Sequence, residues 1–208
     1  YNYPMSQVAD ILLPRADLVP VGEDQAPHIE MTREVVRKFN RIFEPIFNEP
    51  GIKIGRVPRL KGTDGGNKMS KSKGNVIELR FSEEQVNKAV MSMYTDPNRL
   101  KATDPGTVEG NPVFEYHDAF NEDKAKVEDF KKRYKEGKVG DVEVKKDLAN
   151  ALNKFLNPIR EKREYYENNP KMVEDALLSG TNNARKIASE TMRMVRSAMK
   201  IDSYTSKW

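Results

Sequence analysis

Apolar positions in this chain recur mostly at intervals of three and four, with one short strand-like stretch near the start. Residues 3–12 (YPMSQVADIL) predict a short helix, with Pro4 in its first turn and Met5, Val8, Ala9 and Leu12 on one face. Leu18, Val19 and Val21 predict a short buried strand that Gly22 ends, and Asp24 is placed to cap the next helix. Residues 24–42 predict that helix, because Ile29, Thr32, Val35, Val36 and Phe39 keep helical spacing. Strand, turn and helix in that order form the unit of an open parallel sheet, whose ligands lie at the carboxyl ends of its strands. Residues 50–61 read as irregular and glycine-punctuated, and 77–81 (IELRF) as a brief strand.

From residue 82 the pattern is helical throughout. Ser82 and Gln85 form a capping box ahead of a stripe of Val86, Ala89, Val90, Met93 and Tyr94, which Asp96-Pro97-Asn98 stops. A polar connection over 97–111 leads to a helix opened by Asn111-Pro112 that carries Val113, Tyr116, His117 and Phe120. A lysine-rich helix runs to Gly137. The long helix after it turns Val144, Leu148, Leu152, Phe155 and Ile159 inward, with Pro158 expected to bend it. Asn169-Pro170 opens a short helix that Gly180 closes, and a last helix puts Ala184, Ile187, Ala188, Thr191, Val195, Ala198 and Met199 on one face. The layout is a partial α/β unit followed by an all-helical region.

Composition narrows this picture only a little. At 208 residues, 37% hydrophobic and 33% charged, the chain suits one large or two small folded domains rich in helix. Its 36 basic and 32 acidic residues leave a net charge of +4, which tolerates an anionic partner such as nucleic acid without demanding one. The lack of cysteine excludes disulfides, thiolate catalysis and cysteine-based zinc sites, and two histidines give little basis for any metal cluster. The lack of cysteine also fits a cytoplasmic protein, and no apolar run has the length of a membrane span. The chain opens YNYPMSQVAD, and its α/β part is too short for a whole doubly wound sheet. Both features predict a further segment ahead of Tyr1.

The stretch GTDGGNKMSKSKGN, residues 62–75, carries Lys68, Lys71 and Lys73 among four glycines and two serines. Such a loop cannot bury itself, but it can fold over dense negative charge. Phosphate oxygens leaving an α-phosphorus are stabilised by mobile ammonium groups and backbone N–H donors. Lys68 and Lys71 supply the first, Gly65, Gly66 and Gly74 let the main chain approach, and Ser70 and Ser72 add hydroxyls. A solvated basic loop, or a patch touching nucleic acid nonspecifically, would satisfy the composition alone. The alternative of a nucleotide-binding P-loop fails, since no G-x-x-x-x-G-K-[ST] run is present.

Lys68-Met69-Ser70-Lys71-Ser72 is identical to the signature pentapeptide of the class I aminoacyl-tRNA synthetases. By ordinary residue usage its chance occurrence in a chain of this length is about one in ten thousand. Residues 9–40, with VGEDQ at 21–25 and HIEMTRE at 28–34, resemble the bacterial tryptophanyl-tRNA synthetases. GNPVFEYHDAF at 110–120 and GTNNARKIASETMRMVRSAM at 180–199 look like the same family, so the likeness extends over most of the chain. The tyrosyl enzymes are the nearest relatives, with different text around the Asp24-Gln25 pair.

The resemblance implies the C-terminal part of a Rossmann-like catalytic domain over 1–81. It further implies a helical anticodon-binding domain over 82–179 and a terminal helix over 180–208 that packs back on the catalytic domain. It implies a tryptophan–tRNA ligase that uses ATP and Mg²⁺, with tRNA(Trp) and L-tryptophan as partners and a homodimeric assembly. Lys68 and Lys71 match the lysines that stabilise the triphosphate and the leaving pyrophosphate, with Met69, Ser70 and Ser72 beside them. Val21, Gly22 and Asp24 match the nucleotide side of the cleft. Asp10 matches the carboxylate that accepts the indole N–H, a contact that penalises any substrate lacking that donor. Tyr3 and Gln25 match the residues that hold the α-ammonium, and Gln7 and Val21 border the indole. Gln7-Val8-Ala9-Asp10 departs from the Met-Ala-Ala-Asp of many relatives. The H-x-G-H motif of the class has no match and is expected ahead of residue 1, so the 208 residues alone are expected to be inactive. A helical RNA-binding or protein-interaction module derived from a synthetase, and a synthetase for another aromatic amino acid, are the competing readings. Without the resemblance, Asp10, Tyr3, Gln25 and Asp24 would pass for surface, packing or helix-start residues, and His28 and His117 read as packing or surface residues rather than catalysts.

Overall fold

The computed structural model describes residues 3–55, 57, 60–101 and 103–202. In chain order the elements are helix α1 (Tyr3–Leu12), strand β1 (Leu18–Val21), a 3₁₀ turn (Glu23–Gln25), α2 (Ala26–Ile42), β2 (Gly51–Ile54), a second 3₁₀ turn (Lys71–Lys73), α3 (Glu83–Met91), α4 (Pro112–Phe120), α5 (Lys124–Lys135), α6 (Asp141–Glu167) and α7 (Pro170–Ala198). They form two compact units, Tyr1–Pro58 with Pro170–Trp208, and Arg59–Asn169. Among the described residues no helix is long and apolar enough to cross a membrane.

In the first unit, β1 and β2 pair in parallel, Leu18 opposite Gly51 and Val21 opposite Ile54. This confirms the open-sheet reading of residues 18–42 and reveals a strand where the sequence suggests irregular chain. GIKI is only four residues long, the shortest run in which alternation can be read. β1 is half-buried at best: its residues alternate between exposed and intermediate, with Leu18 55% exposed, because a two-stranded ribbon has little to lie against. α1 packs on α2, with Val8 and Ile11 buried on the first helix and Ile29, Thr32 and Val36 on the second. The expected Met5–Leu12 face is therefore turned by about one position, and Met5 stays exposed. α1 ends in a Schellman motif, with Arg15 left-handed at φ 56° and Ala16 N–H donating to Ile11 O at 3.1 Å. Asp24 does not cap α2. It lies within the 3₁₀ turn and accepts a hydrogen bond from Gln25 Nε2 at 3.1 Å, while Gln25 occupies the N-cap position without a side-chain cap bond.

α7 corrects the reading of the last two helices. Pro170 opens it as expected, but it continues unbroken through Gly180, whose backbone does not take the left-handed conformation that closes a helix. Glycine in a helix interior costs about 1 kcal/mol relative to alanine, too little to break a 29-residue helix. Of the expected inward face, Thr191 and Ala198 are buried and Ile187 is exposed.

The second unit is helical around one core that includes Val86, Val90, Met93, Phe114, Tyr134, Leu148 and Leu152. The Ser82–Gln85 capping box is present, and Asn111 caps α4 by accepting from Val113 N–H at 3.0 Å. α3 stops at Met91, five residues before the Asp96-Pro97-Asn98 signal. Asp96 is buried and organises the connection instead, accepting from the N–H groups of Asn98 (3.0 Å) and Thr107 (2.9 Å). Pro158 sits inside α6, which runs on to Glu167, and Phe155 stays 45% exposed. Residues 77–81 form no strand. Phe81 N–H closes a turn on Glu78 O at 3.0 Å, and the segment has no neighbouring strand to pair with among the described residues.

His117 is completely buried, its Nε2–H donating to Val144 O at 3.0 Å and its Nδ1 accepting from Asn121 at 3.1 Å. Burial pushes its pKa below the usual 6.5, and the Val144 carbonyl only partly offsets this. In the unfolded chain the imidazole takes up a proton as pH falls through 6.5, while the buried ring resists it. Stability is therefore full above that pH and declines below it, with a limiting slope of about 1.4 kcal/mol per pH unit. Urea unfolding at pH 7.5, 6.5 and 5.5 should show this decline in the wild type and a weaker one in His117→Gln.

Candidate functional site

In the first unit, one stripe of α1 and the start of α2 carry the polar groups. Tyr3, Gln7 and Asp10 stand at i, i+4 and i+7, which puts them on the same side of α1. His28, in the first turn of α2, meets two of them. Its Nδ1 lies 2.6 Å from Gln7 Oε1, with the ring N–H donating, and its ring meets Tyr3 edge-on at 5.7 Å. Asp10 and Tyr3 are exposed, and Gln25 is half-buried. Gln25 donates to Asp24 through Nε2, but its Oε1 is buried and accepts no hydrogen bond from the described residues. A buried carbonyl oxygen without a donor is an acceptor site for a cation or N–H group.

At the carboxyl ends of the two parallel strands lies an open cleft of about 680 Å³, lined by Pro20, Val21, Gly22, Lys53, Ile54 and Gly55. This is where ligands of parallel α/β sheets bind. Val21 and Gly22, both singled out from the sequence, are among the residues lining the cleft. Lys53, Ile54 and Gly55 escape the sequence reading together with β2, and the brief alternation of GIKI is the one signal for them. His28 escapes it too, although it stands three residues after Gln25 at the start of α2.

In the second unit the lysine loop has a defined shape. Lys68 and Lys71 are exposed, and Lys71 lies 4.0 Å from Glu78. Met69 points the other way, packs against the helical core and receives the Tyr116 hydroxyl on its sulfur at 3.8 Å. Burial raises the Tyr116 phenol to about 12, so it stays a donor, to Lys61 O (3.1 Å) as well as to Met69. Ser70 and Ser72 hydroxyls are 2.8 Å apart, and Lys71–Lys73 form the 3₁₀ turn that Gly74 ends at φ 67°. The arrangement presents ammonium groups to solvent on a loop whose opposite side is anchored, which suits a polyanionic ligand.

The sequence profile of the tRNA synthetases class I (W and Y) matches residues 1–157. The tryptophan–tRNA ligase of Chlamydia caviae is 48% identical over 207 residues, covering 100% of this chain and 59% of that protein. The tryptophan–tRNA ligase of Treponema pallidum is 51% identical over 198 residues, covering 95% of this chain and 59% of that protein. The chain thus spans about three-fifths of the length of these relatives. Among solved structures, the tryptophanyl-tRNA synthetase of Campylobacter jejuni, complexed with ADP and tryptophan, superposes with a TM-score of 0.73 at 33% identity, over 95% of this chain and 61% of that one.

Proposed function

From the premise that this chain belongs to the class I tRNA synthetases for tryptophan and tyrosine, we propose that the protein containing it is a tryptophan–tRNA ligase. The observation that carries the reading is the Lys68–Ser72 loop, held by Met69 with its lysines outward, in a chain about half identical to named tryptophan ligases. Tryptophan's carboxylate attacks the α-phosphorus of ATP. The bond to the bridging oxygen breaks, pyrophosphate leaves, and the tryptophanyl adenylate remains. The terminal ribose hydroxyl of tRNA(Trp) then takes the aminoacyl group and releases AMP.

Catalysis here is positioning and charge stabilisation. Lys68 and Lys71 offset charge on the departing pyrophosphate, with the Ser70 and Ser72 hydroxyls beside them. Val21, Gly22 and Asp24 border the nucleotide. Gln25 Oε1 and Tyr3 receive the substrate ammonium, Asp10 accepts the indole N–H, and Gln7 borders the ring. Mg²⁺ belongs to the same proposal: it would assist the two lysines by offsetting charge on the phosphates. The domain reading 1–81, 82–179 and 180–208, the homodimer and the cytoplasmic location belong to the same proposal.

The test is amino-acid-dependent exchange of pyrophosphate into ATP by the full-length protein. Tryptophan should support exchange and tyrosine should fall short of it by about 10³-fold or more in kcat/KM. Asp10→Asn should narrow that ratio, since an amide no longer offers a charged acceptor to the indole. Exchange driven by tyrosine would transfer the reading to the other amino acid. tRNA binding without exchange would favour a non-catalytic module.

A further inference from the structure

The acceptor and donor groups of one side-chain amide hold the lysine loop together. Asn75 is only 3% exposed. Its Oδ1 accepts from Ser70 N–H at 2.7 Å, and its Nδ2 donates to Lys68 O at 3.1 Å and to Asp64 Oδ1 at 3.0 Å. Its own carbonyl accepts from Thr63 N–H at 3.0 Å. The peptide groups on both sides of Met69 are thus pinned by a single side chain, while the Met69 side chain is pinned by the core beneath.

Two other features make Asn75 fit. Asp64 is oriented by Gly66 N–H at 2.9 Å, and that bond, followed by the Asn75 amide, holds its carboxyl below the usual carboxylate range. Asp64 is therefore an ionised, fixed acceptor for Nδ2. Gly62 leaves the space: a Cβ there would come within 2.4 Å of Asn75 Nδ2 and 2.5 Å of Asp64 Oδ1. The base of the loop is tied to the segment that follows α3, where Tyr94 N–H donates to Thr63 O at 2.8 Å.

We infer that Asn75, clasped by Asp64, is a positioning residue that sets the backbone of Lys68–Ser70 so that Lys68 and Lys71 face the phosphates together. The inference rests on the proposed ligase reading for its catalytic consequence, but the clasp itself is a property of the loop. Asn75 touches no substrate; it acts through the two lysines.

The experiment uses the full-length protein and two readouts. Asn75→Ala should lower kcat of tryptophan-dependent exchange by about 10–100-fold with KM for tryptophan unchanged, as expected for reacting groups displaced by about 1 Å. It should also speed tryptic cleavage after Lys68, Lys71 and Lys73 about tenfold, because cleavage follows the population of the opened loop. Asn75→Asp sets two carboxylates against each other and should be as impaired. The exchange of partners in Asp64→Asn/Asn75→Asp restores one donor–acceptor pair and should recover kcat at least partly. Equal melting temperatures would show that the variants fold. Wild-type kcat and cleavage rate in Asn75→Ala, or a swap no better than Asn75→Asp, would overturn the inference. If the wild type shows no exchange with tryptophan, the ligase reading falls, and the cleavage rates alone decide the clasp.

Discussion

Alanine at both Lys68 and Lys71 is expected to reduce tryptophan-dependent pyrophosphate exchange by about 10³–10⁴-fold, with KM for tryptophan within about twofold of wild type. Removing one preorganised group that stabilises developing charge costs about 10²–10³ in kcat, and two that serve one leaving group act non-additively. In the proposed reading tryptophan is held by other groups, so its affinity should stay. The exposure of both lysines makes the substitutions harmless to the core. Steady-state exchange with tryptophan and ATP varied separately checks the split. A loop that is merely solvated surface would leave kcat unchanged.

The second large effect concerns stability of the helical unit. Arg99→Met should destabilise it by about 3–5 kcal/mol, the range for removing one partner of a buried ion pair. The Arg99 side chain is fully buried. Its Nη1 lies 3.1 Å from Asp141, its Nε donates to Asp104 O at 2.8 Å, and its Nη2 donates to Val139 O. The guanidinium also lies 4.1 Å above the Tyr134 ring, and the Tyr134 hydroxyl donates to Asp141 at 2.8 Å. Burial raises that phenol to about 12, so it keeps its proton at any physiological pH. Methionine would leave Asp141 half-paired and remove the guanidinium donors from the buried Val139 carbonyl and the half-buried Asp104 carbonyl. A thermal melt should drop by about 15 °C or more.

Arg99 also marks the limit of what the chain of letters discloses. The sequence places it in a polar connection marked by glycine and proline, and nothing in its neighbourhood signals a buried cation. Its partners Asp141 and Val139 lie 42 and 40 residues away, and only folding brings them together. His117 and Asn75 are the same kind of case: short-range pattern puts one on a helix and the other in a loop, and neither hints at burial. What pattern does disclose is local. The Ser82–Gln85 box, the Asn111 cap and the α2 stripe of Ile29, Thr32 and Val36 depend on residues within one or two turns, and each appears as expected. Gly180 misleads because its closing role depends on a left-handed backbone that the sequence cannot specify. GIKI escapes notice because a four-residue strand is defined by its parallel partner at Leu18–Val21, not by its own spacing.

The candidate site divides along the same line. Lys68–Ser72 is legible because five consecutive letters carry it. Tyr3, Gln7 and Asp10 become a set through likeness to a family, and the helix then places them on one face. His28 bridges two of them without any sign of it in the letters, since a lone histidine on an amphipathic helix usually packs or faces solvent.

The central claim is that the cationic loop and the α1 carboxylate serve one reaction. Its most direct measurement is a crystal structure of the full-length protein with tryptophan and a non-hydrolysable ATP analogue. Lys68 and Lys71 Nζ should lie within about 3 Å of phosphate oxygens, and an Asp10 oxygen about 2.9 Å from the indole nitrogen. A nucleotide bound out of reach of both lysines, with Asp10 left in solvent, would contradict it.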